Sequence, residues 1–174
     1  HALRPGDLVT LVSPSSAPSP EWLAQSIAIL EGWGFEVRVG AHAMDRWGIM
    51  AGFDDDRLCD LNAALRDPEV RAVVTTRGGA GAARLADRID HVAARRDPKL
   101  VVGFSDVTNV HLALWGRAGL PGIHGCLAGA RAQQSLLHLL TSEQPLTIQR
   151  RDEAVSADVT VSGRARGPLI GGNL

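Results

Sequence analysis

The sequence predicts an α/β domain over residues 1–145, flavodoxin-like in layout, with a mainly parallel sheet and helices on both faces. Three observations point there. Short apolar, β-branched runs alternate with stretches of helical periodicity. Cap and turn residues stand at the junctions. Repeated strand–helix–strand crossovers of this spacing are right-handed and bring strands together in parallel.

Each element has its own reason. Leu8–Ser13 is an apolar run that reads as a buried strand. Ser19-Pro20-Glu21 opens a helix, with Ser as cap and Pro in the first turn. Leu23, Ile27 and Leu30 then recur on one face until Gly32 and Gly34 stop it. Phe35–Val39 is a second strand. Asp54–Leu65 is a second helix, with Asp residues in its first turn and Leu58, Leu61 and Leu65 on one face. Cys59, inside that pattern, reads as a small hydrophobe. Ala72–Thr76 is a third strand, followed by Arg77-Gly78-Gly79-Ala80-Gly81 and a helix carrying Leu85 and Ile89. Leu100–Phe104 is a fourth strand, and Val107, Val110, His111 and Leu114 share one face of the helix behind it. Gly122–His124 is a short fifth strand and Gln133–Leu140 a last helix. After Ser142 the texture changes. Leu146–Gln149 and Ala157–Ser162 flank the charged Arg150–Glu153, so residues 146–174 read as a linker and the first strands of a second, β-containing domain.

Composition narrows the function. The chain has 174 residues, of which 45% are hydrophobic and 21% charged, with a formal net charge of −1. That is a globular composition without the basic surface that nucleic acid or an anionic membrane would need. No apolar run approaches the roughly 20 residues of a membrane helix. No signal peptide is visible, and the abrupt start at His1 leaves open a tag remnant and a missing native N-terminus. Cys59 and Cys126 fit neither a disulfide framework nor a zinc spacing, and no metal or cofactor motif is present.

Ligands of open parallel sheets bind at the carboxyl ends of the strands. Four segments leave strands there: Ser13–Ser16, Arg77–Gly81, Gly103–Asp106 and His124–Gly125. The third is the most informative. Strand, sharp turn and helix meet at Ser105, written Gly-Phe-Ser-Asp-Val. This is like the nucleophile elbow of serine hydrolases, with Val107 where that motif has Gly. A helix N-terminus there offers free N–H groups to a developing oxyanion. The competing assignment is a plain N-cap serine; both stand at this point.

The glycine-rich loop is neither a P-loop nor a dinucleotide fingerprint, since no Gly-Lys-Ser/Thr follows and Arg84 stands where the last Gly or Ala belongs. It suits close approach of backbone to an anion, such as a carboxylate or tetrahedral oxyanion, and Arg77 suits a carboxylate partner. A tight turn that binds nothing is the alternative. His111 is expected to pack, and His124 to make a structural hydrogen bond at the edge of the site. His42, His91 and His138 carry no spacing signal. A Cys126 thiol ranks below Ser105 as nucleophile, because no helix start follows it.

Taken together, Leu3-Arg4-Pro5-Gly6-Asp7, Ser13-Pro14-Ser15, Arg77–Gly81, Gly103-Phe104-Ser105-Asp106-Val107-Thr108, His124-Gly125 and Gly171-Gly172-Asn173-Leu174 resemble the N-terminal part of the serine-type LD-carboxypeptidases, the group that includes the microcin C self-immunity peptidases. The resemblance implies a Ser-Glu-His triad with Ser105 as nucleophile. It implies an oxyanion hole from the Asp106 N–H and a glycine of the loop, Gly78 or Gly79, with Arg77 beside it. The family's Glu and His lie beyond the Gly-Gly-Asn-Leu segment, so this chain is expected to lack them and to be inert alone. The implied substrate is a cytoplasmic murein tetrapeptide, cleaved to release D-alanine in peptidoglycan recycling. The implied whole protein is a homodimer needing no cofactor. A peptidyl-nucleotide of the microcin C kind is the second substrate class. A non-catalytic anion-binding or regulatory module of flavodoxin-like fold is the alternative outside enzymes. Ala80 stands where the family commonly has an aromatic residue, which suits a bulkier leaving group.

Overall fold

Five strands, β1 (Leu8–Val12), β2 (Glu36–Val39), β3 (Val70–Thr75), β4 (Leu100–Gly103) and β5 (Ile123–His124), form one sheet in the order β2-β1-β3-β4-β5. Every neighbouring pair is parallel. The computed structural model describes residues 1–148 and 163–172. Five helices pack on the sheet: α1 (Pro20–Gly32), α2 (Asp54–Arg66), α3 (His91–Arg96), α4 (Thr108–Ala118) and α5 (Ala130–Thr141). None of them is long and apolar enough to cross a membrane. The predicted fold class, parallel and covered on both faces, is what forms.

The sheet faces sort the side chains. Val12, Val73 and Val101 point into one core with Leu58, Leu61, Leu65, Leu85, Val110 and Leu114. Val9, Leu11, Val74 and Val102 point into the other with Leu30, Phe35, Leu136 and Leu140. Strands buried on both faces are near-continuous apolar runs, which is how β1, β3 and β4 read in the sequence. Ser19 caps α1 as expected, its hydroxyl accepting from the Trp22 N–H at 3.1 Å. The order of the strands reverses at β1, whose two neighbours are β2 and β3, and the loops after β1 and β3 meet at the carboxyl edge of the sheet, where the Ser16 N–H donates to the Gly78 carbonyl.

Three expectations change. The helix through Leu85 and Ile89 is a 3-10 segment, Ala82–Arg88, followed by the separate helix α3. Gly81 enters it at φ 114°, and Asp90 caps α3 by accepting from the Ala93 N–H, so the stretch is broken in two. Cys59 is exposed on α2 rather than packed. The chain after Ser105 makes a 3-10 turn, Ser105–Val107, before α4 begins at Thr108. Among the described residues of 146–174 there is neither helix nor strand. The strand expected at Ala157–Ser162, the charged Arg150–Glu153, Gln149, Asn173 and Leu174 lie outside the described residues. Gly172 does return to the domain, where a Cβ on it would overlap the Thr108 side chain at the start of α4.

Candidate active site

The site is built where β4 ends. Gly103 is needed there for space, because a Cβ would crowd Val107 and stand 2.7 Å from Thr75 Oγ1. Phe104 is extended, and Ser105 then turns into the left-handed region at φ 57°. It is the one non-glycine residue with positive φ among the described residues. For an L-residue this conformation costs about 1–2 kcal/mol, and such outliers cluster at functional sites. Phe104, not Ser105, stands at the cap position of the turn, and no hydrogen bond of the Ser105 hydroxyl is found among the described residues. The plain N-cap assignment therefore does not describe this serine.

The other segments converge on it. Gly78 lies against Ser105: a Cβ there would stand 2.7 Å from Ser105 Cβ and 3.1 Å from its Oγ. The loop after β1 supports the glycine-rich loop, with the Ser16 N–H donating to the Gly78 carbonyl at 3.3 Å and the Ala80 N–H to Ser16 Oγ at 3.4 Å. The Asp106 side chain accepts from Ser15 Oγ and from the Ala82 N–H, both at 2.8 Å. Apart from bonds within helices and strands, the N–H groups of Gly78 and Gly79 donate to no backbone acceptor among the described residues. Arg77 is exposed and takes part in no ion pair among the described residues. The arrangement sets the serine of a strained turn directly against the glycine-rich loop.

Histidines border this centre without completing it. His124 is in register with Gly103, and the next N–H, of Gly125, donates to the Gly103 carbonyl at 2.9 Å. Its ring is exposed and holds no hydrogen bond to Ser105 among the described residues. His111 packs on α4, where a Cβ on Gly122 would overlap its ring. Burial pushes its pKa down to about 4, helped by the nearby charge of His124 and opposed by the Val101 backbone. A ring that sheds its proton so readily, turned into the packing, is placed as expected. Cys126 is half-buried with its thiol toward the Ala128 carbonyl at 3.9 Å.

Residues the sequence did not flag stand behind the loops. Arg57 on α2 is 1% exposed. It donates to the Pro14 carbonyl, to Asp54 and, at 3.5 Å, to Met50 Sδ. Gly81 packs onto it, since a Cβ there would stand 2.7 Å from Arg57 Nη1. Asp54 also takes Arg84 Nε at 2.7 Å, so one carboxylate joins α2 to the 3-10 segment. The only sequence signal was an arginine next to the apolar face of a helix that starts with three aspartates. His42, Asp45 and Asp56 bring their ligand atoms within 4.8 Å of one another, which is the one group among the described residues able to gather round a cation. His42 Nδ1 is already bonded to Asp45 at 2.8 Å, and that bond raises the His42 pKa.

The profile of the LD-carboxypeptidase N-terminal domain matches residues 9–125, from β1 through the end of β5. The chain belongs to the LD-carboxypeptidase family. Among curated relatives of that family, the probable murein peptide carboxypeptidase of Bacillus subtilis (strain 168) is 36% identical, over 99% of this chain and 56% of its own length. The murein tetrapeptide carboxypeptidase of Pseudomonas aeruginosa is 32% identical, over 95% of this chain and 57% of its own length. The chain thus spans about half the length of the curated relatives it matches. Among solved structures, an MccF-like protein from Bacillus anthracis str. Ames superposes with a TM-score of 0.74 at 31% identity, covering 81% of this chain and 46% of its own. Every segment that meets Ser105 here falls inside the matched LD-carboxypeptidase region.

Proposed function

We propose that this chain is the nucleophile-bearing part of a serine LD-carboxypeptidase that cleaves murein tetrapeptide and releases D-alanine. The observation that carries the reading is Ser105 itself, held at φ 57° with its hydroxyl uncapped against Gly78. In the reaction a base takes the Ser105 hydroxyl proton as Oγ attacks the carbonyl carbon of the amide. The N–H groups of Asp106 and of Gly78 or Gly79 receive the oxyanion. The C–N bond then breaks, the proton passes to the departing amine, and water hydrolyses the resulting ester. Arg77, exposed beside the glycines, pairs with the substrate's terminal carboxylate.

The general base and its orienting carboxylate are assigned, by family resemblance, to a His and a Glu outside these residues. In keeping with that, no histidine among the described residues bonds Ser105, and the 174-residue chain alone is proposed to be inert. We place the whole protein in the cytoplasm as a homodimer. A second substrate class is favoured by one local observation and one likeness. Ala80 leaves the rim of the loop without an aromatic side chain, and the Bacillus anthracis neighbour is named MccF-like. That pair of facts suits a peptidyl-nucleotide with a bulky leaving group.

The test assays the complete protein encoded by the gene on murein tetrapeptide and on a peptidyl-nucleotide, beside its Ser105→Ala variant. Release of D-alanine that disappears in the variant supports the first reading, and turnover of the nucleotide conjugate alone moves it to the second. Turnover of neither, with no labelling of Ser105 by a fluorophosphonate, leaves the anion-binding module. Hydrolysis by residues 1–174 alone, lost in Ser105→Ala, would mean that the base lies within them, with His124 the first to test.

A further inference from the structure

We infer that the Asp106 carboxylate is a positioning residue that holds the glycine-rich loop against the Ser105 turn, so that N–H donors from two separate strands meet on one oxyanion. The inference rests on the reading above. It concerns the Asp106 side chain, whereas the oxyanion role proposed for this residue uses only its backbone N–H.

Three segments end on this carboxylate. Oδ2 accepts from Ser15 Oγ, after β1, and from the Ala82 N–H, at the far end of the glycine-rich loop, each at 2.8 Å. Oδ1 accepts from Asn109 Nδ2 at 3.2 Å, and the same amide donates to the Asp106 carbonyl at 2.9 Å. Asn109 thereby fixes the side chain and the backbone of Asp106 together. Ser15 and Ala82 are each 0% exposed, while Asp106 and Asn109 are half-buried, so the tether's two outer partners lie out of contact with water. Among the described residues no Lys, Arg or His pairs with Asp106, so its charge is met by neutral donors. Charge-assisted bonds of this kind are stronger and shorter than neutral ones.

The loop needs such a tether. Gly79 and Gly81 stand at φ 122° and φ 114°, conformations glycine adopts freely but also leaves freely. Glycines carry no side chain to pin the loop. On its Ser105 side the loop is held by the two long Ser16 bonds, at 3.3 and 3.4 Å, and at its far end by Asp106. An oxyanion donor misplaced by about an ångström loses much of its effect, because the preorganised geometry is what stabilises the charge. Asp106 therefore sets the spacing between its own N–H and those of Gly78 and Gly79.

The experiment uses the complete protein with murein tetrapeptide, comparing wild type, Asp106→Ala and Asp106→Asn. Loss of one oxyanion donor costs about 100-fold to 1,000-fold in kcat, so Asp106→Ala is expected to lower kcat about 100-fold with KM within about threefold. Asp106→Asn keeps an oxygen for Ser15 and Ala82, and is expected to stay within about tenfold of wild type. Hydrogen exchange at the Ala82 amide gives a readout independent of turnover: faster in Asp106→Ala, near wild type in Asp106→Asn. Should Asp106→Ala not fold by circular dichroism, Asp106→Asn carries the test through its retained exchange protection and kcat. Wild-type kcat in Asp106→Ala, or an Ala82 amide that stays protected in it, would overturn the inference. So would an unprotected Ala82 amide in Asp106→Asn. If wild type itself cleaves nothing, the proposed function fails, while the exchange data still decide whether Asp106 tethers the loop.

Discussion

The α-carbon of Gly78 faces Ser105 so closely that a methyl group on it would stand 2.7 Å from Ser105 Cβ and 3.1 Å from the Phe104 carbonyl oxygen. The demand here is for space. Its backbone angles are ordinary, so alanine is excluded by the neighbour rather than by strain. Gly78→Ala is expected to cost about 1–3 kcal/mol, as other overpacked sites do. Thermal unfolding of the purified variant checks it, and an unchanged melting temperature would contradict the contact.

Ser105 supplies the opposite case. Its strain lies in φ 57° and belongs to any L-residue placed there. Ser105→Ala keeps the strain, whereas Ser105→Gly relieves it at some entropic cost in the unfolded chain. Ser105→Gly is expected to be more stable than Ser105→Ala by up to about 1 kcal/mol, read from urea midpoints. Equal midpoints would show that the turn stores no strain.

Arg57 is a buried cation whose partners are the Pro14 carbonyl and Asp54. Arg57→Met removes the charge and leaves the Pro14 carbonyl unpaired, while Asp54 retains Arg84. Asp54 is part-exposed and keeps Arg84, so no buried charge is stranded, and the cost is that of the unpaired Pro14 carbonyl, about 1–3 kcal/mol. Guanidinium unfolding measures it. Arg57→Lys should recover only part, since an ammonium cannot span both acceptors with a fixed fork.

His111 makes stability depend on acid. Its folded-state pKa is pushed down to about 4, below the ordinary imidazole value of 6.5, chiefly by burial. The native state therefore prefers the neutral ring, while the unfolded chain takes up a proton below pH 6.5. The contribution is complete above that pH and is lost as pH falls toward about 4. It amounts to as much as about 3 kcal/mol. His111→Leu should flatten this part of the stability profile, and a profile identical to wild type would remove His111 as its source.

Much of the fold was legible because buried parallel strands and their crossover helices write themselves as apolar runs and periodic leucines. Leu8–Val12, Val70–Thr75 and the Leu58, Leu61, Leu65 face are of this kind. The stretch from Ala82 to Arg96 was not, because its break is made by Gly81 at positive φ and by the Asp90 cap, signals weaker than the spacing of Leu85 and Ile89. At the site, the convergence of the loops after β1, β3 and β4 followed from topology alone. The Asp106 tether and the buried Arg57 did not, since both depend on partners distant in the chain, Ser15 and Ala82 in one case and Pro14 in the other. Cys59 faced solvent because helical position, not residue type, decides which side of α2 it occupies.

The strand order carries a kinetic consequence. β1 pairs with β3 at the centre of the sheet, yet α1, β2 and α2 all lie between them in the chain. Joining β1 to β2, or β3 to β4, closes a shorter loop than joining β1 to β3, so the outer pairs can form early while the central seam waits for the larger entropic cost of closure. Ser15 and Ser16 sit on one side of that seam, and Gly78, Ala82 and Ser105 on the other. During refolding the half-sheet of β3 and β4 can bring Ser105 and the glycine-rich loop together first, and the bonds from Ser15 and Ser16 that brace them form only when the seam zips.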